Sequence, residues 1–270
     1  RSIALDWSNR SYQNERSYKN ENTYTTLVYH FPGENDVDDL GISESSKEES
    51  LSASTDWVSF KQQFFSSALI CRSANLRQPN ISFNTAPKGS GYIKDFALAT
   101  TVDYTPQVTK YDFSFYLGPN KFSTLKKLTD ANGKSLEMER IIPLGWIFST
   151  YVSRWVVIPV FDFLQKYIAS FGLIIFILTL LVKLVIFPLT YKSYLSTAKM
   201  RVIKPEIDAL NAKYPRQEDA MKKQQEMMAL YNKAGISPMG GCLPMLIQMP
   251  ILIAMFRFFP ASIELRGKSF

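Results

Sequence analysis

The chain has 270 residues, with 31 Lys and Arg against 24 Asp and Glu, one His and two Cys. The net charge of +7 raises nucleic acid as a partner, but the basic residues flank apolar runs and no recognised nucleic-acid motif accompanies them. Two cysteines exclude a disulfide framework. A lone His30 without a cysteine cluster excludes zinc-site spacing, and reads as a surface or strand histidine.

The mean hydropathy of −0.09 averages two unlike halves. Residues 1–140 read as a β-rich, sandwich-like extracytoplasmic domain. "TYTTLVYHF" (Thr23 to Phe31), "GYIKDFALATTVDY" (Gly91 to Tyr104) and "YDFSFYLGP" (Tyr111 to Pro119) are rich in β formers and bounded by Gly, Pro and Asn. In the last, Tyr111, Phe113 and Phe115 alternate with Asp112 and Ser114, the pattern of a strand with one buried face. "DWVSFKQQFFSSALI" spaces Trp57, Phe60 and Phe64 like a helix face, although a strand also fits. Residues 32–54 are acidic and Ser-rich, which predicts a flexible, solvated loop with no specific role.

Residues 141–168 turn amphipathic. Trp146, Tyr151, Trp155 and Tyr167 are aromatic anchors of the interfacial type, while Arg154, Asp162 and Lys166 forbid a deep span. An interfacial helix on the outer membrane surface is expected, broken or kinked at Pro159. Residues 169–191 are apolar over the roughly 20 residues that cross a bilayer core. Residues 240–264 form a weaker second span, interrupted by Pro244, Pro250, Pro260 and Arg257, which neighbouring groups can accommodate. Between them, residues 192–236 read as a helical hairpin, roughly Lys192 to Ala212 and Gln217 to Ala234. Pro215 suits the turn, and Gly235 and Pro238 stop the second helix. Met200, Ile203, Ile207 and Leu210 recur at helical spacing, as do Met221, Met227, Met228 and Tyr231. These stripes zip the two helices together, and the methionines also offer an adaptable surface.

Lysines and arginines dominate this hairpin, so it belongs in the cytoplasm and the N-terminal domain outside. Cys71 then lies outside and Cys242 at the inner surface, too far apart to pair. The chain opens at Arg1 without Met or signal peptide and stops soon after the second span, so a fragment of a longer protein is expected.

Lys183 sits within the first span, about 18 Å along the helix from Phe171. Either its side chain snorkels to the inner interface or it faces a wet cavity between helices. Thr179 and Thr190 share its helix face, and a polar strip favours the cavity. Gln248 in the second span is equally readable as interhelical glue or as a cavity residue. No Ser-His-Asp set, H-E-x-x-H or Gly-rich phosphate loop occurs, so neither an enzyme nor a cofactor or metal site is expected.

The runs "FPLTYKSYLSTAKMRVIKPEIDAL" and "QQEMMALYNKAGISPMGGCLPMLIQMPILIAMF" resemble the Oxa/YidC/Alb insertase family over Trp146 to Phe270, because several short pieces occur together in order. The N-terminal half fits the large periplasmic domain of its Gram-negative members. The resemblance implies a multi-pass protein of the bacterial inner membrane that inserts and helps fold nascent membrane proteins. It also implies a positively charged hydrophilic groove, with nascent hydrophobic segments, the lipid bilayer, the Sec translocon and the ribosome as partners. Lys183 matches the groove's positive residue, commonly arginine in bacterial members. Thr179 matches a groove-facing threonine, and Gln248 lies in the matching "IQMP". The family core has five spans, and two are visible here. Two other functions compete: a secondary transporter with Lys183 in a solute site, which would show paired repeats, and a membrane-anchored protein that binds ligands through its outer domain.

Overall fold

The β-branched and aromatic runs of the first half pair into two antiparallel sheets. In a computed structural model, the described residues are 2–41, 46–104, 106, 110–145, 147–214, 220–235 and 243–268. Trp146, Pro215, Pro238 and Cys242 lie outside them. The chain divides into two units, one of Arg1–Pro143 with Phe259–Gly267, the other of Leu144–Phe258 with Lys268–Phe270.

In the first unit the strands are β1 (Ser2–Tyr12), β2 (Thr26–His30), β3 (Asp38–Asp39), β4 (Lys47–Ser50), β5 (Trp57–Lys61), β6 (Phe65–Cys71), β7 (Arg77–Thr85), β8 (Tyr92–Asp103) and β9 (Phe113–Pro119). One sheet has the order β1-β8-β7-β4, the other β3-β2-β5-β6-β9. Along β8, Phe96, Leu98 and Val102 are buried at every second or fourth position, as a pleat with one covered face requires. They meet Leu27, Phe60, Leu69 and Phe83 in a single core. Trp7 stacks on Phe60 at 4.0 Å and meets the edge of Phe115 at 5.5 Å.

The Trp57-to-Ile70 run is two strands rather than a helix, because β5 is central and buried along its whole length. The acidic stretch 32–54 is more than a solvated loop. It supplies β3 and β4, which pair with β2 and β7, and it seats Leu40 and Leu51 in the core. Two apolar residues among many charges are enough to anchor it, since burying a Leu contributes about 1.5–3 kcal/mol. Residues Thr23 and Tyr24, expected to open a strand, end helix α1 (Tyr18–Tyr24) instead. Ser17 caps that helix by accepting a bond from the Asn20 N–H.

The segment Phe259–Gly267 is held in this unit by polar contacts. The Gln63 amide donates to the Pro260 carbonyl at 3.2 Å, and the Arg266 guanidinium donates to Glu15 at 2.7 Å. Arg266 also lies 5.4 Å from the Phe65 ring centre.

His30, at the end of β2, is buried. Its Nδ1 lies 2.8 Å from the Asp56 carboxylate and its Nε2 lies 3.0 Å from the Glu34 carbonyl. Both partners are acceptors, so only the imidazolium satisfies both contacts. Burial alone would lower its pKa, but Asp56 and the Glu34 carbonyl outweigh burial and raise it. Lys94 is the opposite case. Its ammonium donates to the Thr25 carbonyl at 2.7 Å and lies 4.0 Å from the Phe83 ring centre. Burial pushes its pKa down to about 8.

These shifts have opposite consequences. A raised histidine contributes stability below its ordinary pKa of about 6.5, and loses it as pH climbs through the folded value. A lowered lysine makes stability rise with pH, from about 8 towards its ordinary value of 10.5. The unfolding midpoint of the β unit is therefore expected to fall on the neutral side and recover in mild alkali. His30→Gln should flatten the first limb, and Lys94→Met should weaken the second, which it shares with Lys61, likewise pushed down to about 8 by burial. Chemical denaturation followed by tryptophan fluorescence across that range checks both, and a profile unchanged by either variant would contradict the assignment.

Candidate functional site

In the second unit the apolar sequence first builds a helical rod. Helix α3 (Ile147–Val152) passes through a π-helical turn (Ser153–Val157) into α4 (Ile158–Gln165). Pro159 neither breaks nor ends this rod. It occupies the first turn of α4, and the wider turn before it carries the Ile158 N–H to the Ser153 carbonyl, so the missing proline donor costs little. Tyr151, Trp155 and Tyr167 all point outward, Trp155 at 77% exposure. Phe161 points inward, its ring centre 6.2 Å from that of Phe171 and 5.3 Å from that of Phe258.

Helix α5 (Phe171–Val202) starts where Ser170 caps it by accepting from the Leu173 N–H. Among the described residues it is the one helix long and apolar enough to cross a membrane. Met245–Ala261, within α8 (Leu243–Ala261), is a shorter apolar helix. Helix α5 does not stop at Tyr191, where the span was expected to give way to a separate helix. The helix runs on through Pro188, which lacks an N–H but does not end it, and through Tyr191. Lys199 and Arg201 in its last turn suit the negative end of the helix dipole. It ends at Ile203, which leaves helical geometry at φ −86° and ψ 0°, and Pro205 then sits in the first turn of the next helix, where its missing N–H is tolerated. At 32 residues the helix is about 48 Å long, against about 30 Å of hydrocarbon. Its last three turns extend beyond one bilayer thickness.

At that extended end α5 and α8 enclose a cleft of about 460 Å³. Thr190, Ser193, Tyr194, Thr197 and Arg201 form one wall, and Met245, Gln248, Met249 and Leu252 the other. Of the expected groove residues, Gln248 lines this cleft. Lys183 and Thr179 are exposed and do not line it. The Thr179 hydroxyl donates to the Ile175 carbonyl at 2.8 Å, and that of Thr190 to the Ile186 carbonyl at 3.0 Å. Bonds of this kind satisfy a hydroxyl within its own helix. Lys183 has no hydrogen bond or ion pair among the described residues.

All the same, the turn angle of about 100° per residue places Thr179, Lys183, Thr190, Tyr194, Thr197 and Arg201 within about 40° of one line along α5. Ser193, Tyr194, Thr197 and Arg201 escaped the sequence reading because α5 was divided at Tyr191. Their signal was present in the spacing of 190, 194, 197 and 201, which continues one helix face.

Beyond the break at Ile203, α6 (Lys204–Lys213) and α7 (Ala220–Lys233) form the hairpin. Glu226 accepts from Lys213 at 3.0 Å and from the Tyr214 hydroxyl at 2.6 Å. Met221 and Met228 line an open groove with Gln225 and Asn232. Among the described residues no group of three His, Cys, Asp or Glu side chains could hold a metal ion.

Comparison with known proteins also divides the chain in two, with the boundary near residue 160 rather than at Pro143. Residues 163–270 match the family described as 60Kd inner membrane protein, and residues 3–160 match the YidC periplasmic domain. The chain belongs to the YidC family. Among relatives named membrane protein insertase YidC, that of Bacteroides fragilis is 45% identical over 269 residues, 99% of this chain and 43% of the relative. That of Phocaeicola vulgatus is 44% identical over 272 residues, covering 100% and 43%. That of Porphyromonas gingivalis is 42% identical over 273 residues, covering 98% and 43%. The chain thus spans less than half the length of these YidC relatives.

The Glu226 clasp generates a prediction about the hairpin. Glu226→Ala should broaden the distance distribution between spin labels at positions 208 and 222, and Glu226→Gln, which keeps an acceptor for Tyr214, should broaden it less. Electron-electron resonance checks this. An unchanged distribution in the alanine variant would mean that apolar packing alone sets the hairpin.

Proposed function

We propose that this chain is the working part of a membrane protein insertase and chaperone, and that α5 carries the positive side of a hydrophilic groove. The observation that supports the reading best is the polar line along α5, from Thr179 through Lys183 to the cleft at Arg201. Dragging a polar flank through hydrocarbon costs several kcal/mol per unsatisfied group. A wet, positive groove reaching part way across shortens the dry distance. Transfer of the substrate's own apolar segment into lipid then drives the process at about 25 cal/mol per Å². No bond is made or broken, so the reading needs no catalytic residue and no cofactor.

On this reading Lys183, Thr179 and Gln248 are groove residues. Lys183 attracts acidic flanks, Thr179 lines the approach, and Gln248 sits where the groove meets the second helix. The interfacial rod anchors in the outer headgroup region through Tyr151, Trp155 and Tyr167. The second apolar helix, residues 240–264, spans the inner membrane beside α5. The remaining spans of the groove come from the part of the protein outside this chain. Nascent hydrophobic segments and the bilayer are the partners, with the Sec translocon and the ribosome engaged from either side.

The test uses full-length protein in liposomes and matched substrates whose translocated flank is acidic, neutral or basic. Lys183→Arg should retain most activity, since the charge survives. Lys183→Ala should reduce insertion of acidic-flank substrates about tenfold, or about 1.4 kcal/mol, close to the roughly 1 kcal/mol of a charge pair 4 Å apart in a water-filled groove, and Lys183→Glu should reduce it further. Equal losses across the flank series would remove the electrostatic role and favour a lysine that merely sets helix depth.

A further inference from the structure

Resting on the insertase reading, we propose that Arg201 is a docking residue that recognises the junction between a substrate's acidic flank and its apolar segment. The cleft has two chemically different walls. The α5 wall offers hydroxyls and ends at the Arg201 guanidinium, while α8 presents the thioethers of Met245 and Met249 beside Leu252. The Arg201 side chain is exposed and makes no hydrogen bond or ion pair among the described residues. It stands 18 residues beyond Lys183, which is five whole turns or about 27 Å on the same face. Lys183 therefore lies at membrane depth, and Arg201 lies at the end of α5 that extends past the bilayer thickness.

The occupant that fits both walls is a peptide carrying a carboxylate next to apolar side chains. The carboxylate takes a forked, two-point bond from the guanidinium, and the apolar residues meet flexible thioethers that adapt to many shapes. Arg201 then acts before Lys183. It sets which segments are captured and in what register, whereas Lys183 lowers the barrier that the captured flank crosses. A uniformly apolar or uniformly acidic segment satisfies only one wall.

Two readouts on full-length protein separate these roles. The first is capture, measured as photo-crosslinking from a benzophenone side chain in place of Tyr194, which lines the cleft, to peptides bearing Asp, Asn or Lys at the junction. The second is insertion into vesicles made of neutral lipid only or with anionic lipid. Arg201→Ala should raise the half-saturating concentration of the Asp peptide five- to tenfold with little change in maximal insertion rate, and Arg201→Lys should recover much of it. Arg201→Glu should reverse the preference, capturing the Lys peptide better than the Asp peptide.

Capture that ignores junction charge in wild type and all variants would overturn the proposal. So would an Arg201 effect that appears only with anionic lipid and equally for all three peptides, since lipid headgroups would then be its partner. Charge-dependent capture without insertion would support the docking residue while overturning the insertase reading.

Discussion

A helix longer than the bilayer is thick is the constraint from which the second unit follows. Within hydrocarbon backbone N–H and C=O groups must find partners, and α5 meets that demand over 32 residues except at Pro188, which has no N–H to offer the Leu184 carbonyl. Once such a helix leaves the apolar layer, nothing obliges its exposed face to stay apolar. Hydroxyls and basic groups then accumulate along one line, and a neighbouring apolar helix closes a cleft against them. The same helix carries both Lys183 and Arg201 on one element rather than on a loop, with Pro188 between them.

The β unit follows a different rule. Its strands β8 and β9 stand almost where the alternating aromatic and β-branched runs put them, but the buried face expected of Tyr111, Phe113 and Phe115 holds only at the first two, since Phe115 is 58% exposed. The sites that were not readable share a physical reason. The short β3 and β4 edges sit in a stretch whose composition is that of a solvated loop, and only their pairing to β2 and β7 holds them. A buried central strand carries apolar residues on both faces, so Trp57, Phe60 and Phe64 could mimic a helical spacing. Long-range pairing decides such cases, and no local window contains it.

In the helical unit the terminators decided the outcome. The end of α5 lies at Ile203, just before Pro205, and not at Tyr191, where only the composition changes. Pro159 looked like a breaker and is absorbed by one π turn. Lys183, Thr179 and Gln248 were found as polar residues in apolar runs, a signal that does not depend on where helices end. The cleft wall from Ser193 to Arg201 depends on that end entirely, and so it became visible only in three dimensions.

Cys71 carries a consequence of a different kind. Its side chain belongs to the β core, and burial raises the thiol's pKa. The thiolate is the species that attacks disulfides and is oxidised, so the folded domain keeps this sulfur in its inert form. Residues 3–160 belong to a periplasmic domain family, and that compartment is oxidising. Protection of the only thiol in the domain is then a property of folding itself, without a bonded partner. Oxidation at Cys71 then requires the sandwich to open, which ties it to the time the domain spends unfolded.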